Sequence, residues 1–118
     1  MKYSSKLKEY FKNFSNKNLF ELEKMFSEEI VLKDWNIHAL GKQEVIDANK
    51  GIFESVETIQ VTPVSFYSNS DYSYAVCISI LINGNETLNV IDVIDFDNDG
   101  LIKSVVRSEE HTSELQSH

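Results

Sequence analysis

Tyr3, Leu7, Tyr10 and Phe14, with Phe11 beside them, recur at helical spacing and place one apolar stripe on a helix over residues 3 to 15. Asn18 suits the N-cap of a second, short helix, because Glu21 follows three positions later and Leu19, Leu22, Met25 and Phe26 give it an apolar side. A short alternating stretch from Ile30 to Asp34 predicts a strand. Gly41 then opens a third helix over residues 42 to 54, with Val45, Ile46, Ile52 and Phe53 turned inward. Beyond it the period drops to two, and residues 58 to 67, 72 to 82, 87 to 96 and 101 to 106 read as strands. Their connections carry Asn69-Ser70, Asn83-Gly84-Asn85 and Asp97-Asn98-Asp99-Gly100, which is turn chemistry, so the strands are expected to form an antiparallel meander. Helices first and strands after define an α+β pattern.

The chain has 118 residues, 42% of them hydrophobic, enough for one core and too few for two. A formal charge of −8, with no lysine stripe, argues against a nucleic-acid partner. No stretch approaches the ~18 apolar residues of a membrane span, and the lysine-rich start lacks the apolar segment of a secretory signal, so a cytoplasmic protein is expected. Cys77 sits in an apolar run and reads as a small buried hydrophobe.

Composition breaks abruptly at Arg107, the only arginine in the chain, and two of the three histidines follow it. The segment RSEEHTSELQSH, residues 107 to 118, resembles one reading frame of a common DNA-sequencing adapter, which implies read-through. The domain is therefore expected to occupy residues 1 to 106, with residues 107 to 118 a non-native, disordered tail. The last strand should lapse near Val106 or within a residue or two of it, and a chain ending at Val106 should melt with the full one. Without the tail the net charge is still −6.

Three polar residues stand out against apolar faces. Asp92 shares a strand face with Leu88, Val90, Ile94 and Phe96, and a carboxyl in such a row is protonated, paired or turned to a cavity. Tyr10 lies in the middle of the first helix's stripe, where its hydroxyl needs a partner. Asp34 ends the strand that carries Ile30 and Leu32, beside Trp35.

Tyr10-Phe11, Asn18-Leu19, Met25-Phe26, Lys33-Asp34, Gly41, Ile91-Asp92 and Phe96-Asp97-Asn98-Asp99-Gly100, in that order, resemble the SnoaL-like and ketosteroid isomerase branch of the nuclear transport factor 2-like superfamily. The resemblance covers most of residues 3 to 106 and implies a cone, three N-terminal helices packed on a strongly curved, mainly antiparallel sheet around one pocket. It implies Asp34 as a general base, with Tyr10 and a protonated Asp92 donating hydrogen bonds to the developing oxyanion, as ketosteroid isomerase holds a carboxylic acid neutral in an apolar site. Phe14, Trp35, Asn49, Phe53, Val90 and Ile94 are then the candidates for ligand contact. Asn49 is a departure, because the isomerases carry a tyrosine near that position. The function expected is a small-molecule pocket protein, an isomerase or cyclase acting on a carbonyl compound; the alternative is a non-catalytic binding module of the same fold. A homodimer through an apolar sheet face that holds Ala75, Cys77, Leu81, Ile91 and Val93 is also implied. No cofactor and no metal are expected: His38 lacks companion ligands, and Asp95, Asp97, Asp99 and Gly100 open a calcium-loop pattern whose twelfth position is Val106.

Overall fold

In a computed structural model, residues 2 to 109 are described. Helix α1 spans Ser4–Ser15 and α2 spans Leu19–Met25, with the Asn18 side chain accepting from the Glu21 backbone N–H at 3.2 Å, as its capping position requires. Strand β1 (Phe26–Lys33) and the short β2 (His38–Leu40) follow, then α3 (Lys42–Ser55) and the strands β3 (Ile59–Ser68), β4 (Ser73–Ile82), β5 (Glu86–Phe96) and β6 (Ile102–Glu109). The six strands form one open sheet in the order β2-β1-β6-β5-β4-β3. All neighbours run antiparallel except β1 and β6, which pair in parallel.

The four-strand meander appears as its turn residues demand. Asn83 and Gly84 both take positive φ, 53° and 76°, and Asn85 N–H closes the hairpin on the Ile82 carbonyl at 3.1 Å. The Asn83 side chain also accepts from the backbone of Glu57 and Thr58, tying this hairpin to the end of α3. In the Asp97 to Gly100 turn, Asp97 Oδ1 accepts from Asp99 and Leu101, so the acidic run builds a hairpin.

Strict alternation on β4 and β5 buries Tyr74, Val76, Ile78 and Ile80 on one strand and Val90, Asp92, Ile94 and Phe96 on the other. Against that face lie Leu7, Tyr10, Phe11 and Phe14 of α1, all at most 1% exposed. The Tyr74 hydroxyl accepts from the Tyr3 backbone and donates to the Asp71 carbonyl, which pins the start of α1 to the sheet. One core, ringed by α1, α2, α3 and the concave face, results.

Two boundaries differ from expectation. β1 begins at Phe26, four residues before Ile30, and an irregularity between Phe26 and Val31 separates its two pairings with β6. β6 runs one residue past the one or two expected beyond Val106: Arg107, Ser108 and Glu109 pair with Asp92, Ile91 and Val90 of β5. The boundary expected at Arg107 therefore cuts through a strand, and the rest of the expected tail, residues 110 to 118, lies outside the described residues. No helix among the described residues is long and apolar enough to cross a membrane.

Candidate functional site

β5 and β6 each send one charged side chain inward at the same level. Asp92 follows Val90 and precedes Ile94 on the buried row of β5, and Arg107 continues the row of Ile102 and Val105 on β6. Their backbones are register partners, so the two side chains meet as a fork: Nε donates to Oδ1 at 2.6 Å and Nη2 to Oδ2 at 2.8 Å. Asp92 is 0% and Arg107 7% exposed. Of the outcomes open to a carboxyl in an apolar row, Asp92 takes pairing: both its oxygens accept from Arg107. The Phe14 ring lies 5.3 Å from the Arg107 guanidinium carbon and covers one of its faces.

Tyr10 completes this buried group from α1. Burial pushes its hydroxyl up to about 12, with the hydrogen bond and charge of Arg107 acting against the rise and the charge of Asp92 adding to it. For Arg107, burial alone would lower the pKa, but the charge and hydrogen bonds of Asp92, with Tyr10 and Asp34 behind them, raise it above its ordinary value. The guanidinium is a fixed cation.

Asp34 arrives from the other side. It follows β1, where Oδ1 accepts from the backbone N–H groups of Asn36 at 2.7 Å and Ile37 at 2.6 Å and so turns the chain toward β2. The residue is half-buried. Asp34, Trp35 and Arg107 line two adjoining spaces. One is a cavity of about 220 Å³ walled by Phe14, Ile52, Ile59, Ile80, Ile82 and Leu88. The other is a shallower cleft of about 360 Å³ toward Lys33, Val106 and Ser108.

The sequence candidates thus divide. Asp34, Trp35 and Phe14 face the cavity. Tyr10 and Asp92 are grouped with Arg107, and of the three only Arg107 lines the cavity. Asn49, Phe53, Val90 and Ile94 are buried and do not line it; Phe53 packs edge-on against Phe14, its ring centre 4.8 Å away. The residue missed is Arg107, set aside with the tail. Two signals pointed to it: its place two positions after Val105 on an inward row, and the need of Asp92 for a partner.

The fold is that of the nuclear transport factor 2-like superfamily, with SnoaL-like cyclases and steroid isomerases among its structural neighbours. The chain is similar to nuclear transport factor 2 from Cryptosporidium parvum at a TM-score of 0.77 and 12% identity, over 92% of each chain. It is similar to a steroid delta-isomerase from Pseudomonas aeruginosa at 0.71 and 21% identity, over 98% of this chain and 85% of that one. An epoxide hydrolase/cyclase-like enzyme, SalBIII, that functions in pyran ring formation in salinomycin matches at 0.72 and 19% identity, over 95% of this chain and 96% of that one. No protein-family model matches the chain, and no curated protein sequence does.

Proposed function

We propose that this chain binds a small, largely apolar carbonyl compound in the cavity that Asp34 and Arg107 line and moves a proton on it. The observation that carries this reading is that one apolar space is lined by both a half-buried carboxylate, Asp34, and a buried, fixed guanidinium, Arg107. Asp34 is the base: it takes a proton from the carbon beside the carbonyl and returns it to another carbon of the conjugated system. The enolate oxygen formed between those steps is stabilised by the Arg107 guanidinium, which is already oriented and needs no reorganisation. Asp92 and Tyr10 act through Arg107, as positioning residues, and Trp35 and Phe14 hold the apolar body of the ligand. At about 220 Å³ the cavity is below the ~300–1,000 Å³ usual for drug-sized ligands, which favours a molecule of one or two rings over a four-ring steroid.

The second reading, a binding module without turnover, draws on one observation: Asp34 Oδ1 is already engaged by two backbone N–H groups, a sufficient structural role for an aspartate at a strand end.

A cyclic β,γ-unsaturated ketone in deuterated buffer separates the two. Proton transfer predicts deuterium incorporation catalysed by the chain, and Asp34→Asn should slow it ~100-fold or more while the ketone still binds. Binding without exchange above the buffer rate would sink the enzymatic reading and leave the module.

A further inference from the structure

The charged side chains that line the inner cavity are Asp34 and Arg107, and the outer cleft adds Lys33 and Glu109. Asp92 lines neither space, yet it is fully buried against Arg107 and accepts from Nε at 2.6 Å and from Nη2 at 2.8 Å. Seen from the cavity, a pair held that closely is near neutral. Lys33 and Glu109, at the outer cleft, are likewise opposite in sign. What remains is Asp34, whose Oδ1 holds the turn through Asn36 and Ile37, while no hydrogen bond among the described residues engages its Oδ2. Arg107 still has donors to offer, because a guanidinium carries more N–H groups than the two that the fork with Asp92 occupies. The site thus combines hydrogen-bond donors with the net charge of one carboxylate.

We infer, resting on the proton-transfer reading above, that the site takes uncharged carbonyl compounds and rejects those that carry a carboxylate, and that Asp92 sets this preference by cancelling the charge of Arg107 while leaving it N–H groups to donate. The charge balance of the reaction agrees. When Asp34 takes a proton from a neutral ketone it becomes a neutral acid, and the negative charge passes to the enolate oxygen beside Arg107. The site therefore holds one unit of negative charge from start to finish. A keto acid brings a second anion into the same apolar space, where it gives up its hydration and meets Asp34 with no unpaired cation to offset the repulsion. Without Asp92, the guanidinium would do the reverse and draw the carboxylate in.

The experiment is calorimetric titration of the full chain at neutral pH and low ionic strength, where screening is weakest, with two probes: cyclohexenone and the same ring bearing a carboxylate. The ketone should bind ~10-fold or more tightly than the keto acid. Asp34→Asn removes the charge but keeps the side-chain oxygen that holds the turn, so the gap should close to within about threefold. Asp92→Asn uncovers the charge of Arg107, so the order of the two probes should reverse. Where Asp92→Asn does not fold, Asp34→Asn carries the test alone, because Asp34 is half-buried and its replacement leaves the fork between Arg107 and Asp92 intact. Equal affinity for the two probes in the full chain, or a gap that survives Asp34→Asn, overturns the proposal while leaving the cavity a binding site. No binding of either probe removes the cavity reading, and this inference with it.

Discussion

Tyr10 shows how one side chain's environment sets a measurable property. Its ring packs among Phe11, Phe14 and Phe26, with centroids 5.2 to 6.3 Å apart, while its hydroxyl meets the Arg107 and Asp92 pair. Burial raises its pKa from the ordinary 10.0 to about 12. The folded chain therefore keeps a proton that the unfolded chain releases first, and the stability this lends is complete below pH 10 and drains away between pH 10 and 12. At ~1.36 kcal/mol per unit the full effect is about 3 kcal/mol. Urea unfolding of Tyr10→Phe across this window should show a shallower alkaline loss than the parent; equal slopes would mean that the hydroxyl is not buried as described. Tyr10 and Asp92 were both legible as polar residues on apolar faces. Their partner was not, because the only arginine in the chain opens a segment whose composition reads as foreign.

At the scale of elements, helices with clear stripes and caps were legible to within a residue or two, as Asn18 and Gly41 illustrate. β2 was not, because three residues after the Asp34 turn carry too little alternation to register. The start of β1 was hidden by Ser27, Glu28 and Glu29, whose polarity conceals a stretch that begins in the core at Phe26. The end of β6 was legible to within a residue, but the inward, paired side chain of Arg107 was not. Backbone pairing with β5 does not depend on side-chain polarity, and Arg107 finds its compensation across the strand. The consequence reverses the expectation that the chain can end at Val106 without loss. A chain ending at Val106 lacks the partner of a fully buried Asp92, and breaking such a pair costs ~3–5 kcal/mol. Its urea midpoint should fall well below that of a chain ending at Glu109. Coincident midpoints would show that the fork between β5 and β6 contributes nothing to folding.

The whole molecule presents two faces of the sheet with different fates. The concave face is filled by the helices, and the opposite face carries a transverse row of Tyr67, Ala75, Val93 and Val106 in direct register across four strands. Tyr67, Val93 and Val106 are exposed there, at 60%, 38% and 37%. Such a contiguous apolar row, on β3 to β6, is the surface on which the homodimer expected from the sequence would form. Light scattering should report twice the chain mass, and Val93→Lys should return it to that of one chain. A monomer at high concentration in the parent would remove this face from consideration.

The concave side carries the cavity, and the chain's single tryptophan lines it. Trp35 is 48% exposed and shares the cavity wall with Asp34 and Arg107, so its fluorescence should respond to anything that fills that space. Titration with a one- or two-ring enone should give a saturable change in Trp35 emission, and Ile80→Phe, which narrows the cavity from β4 without adding a second indole, should weaken it markedly in a chain that still melts cooperatively. No saturable change in the parent, or an unchanged response in the narrowed variant, would contradict the account of this cavity as the binding site.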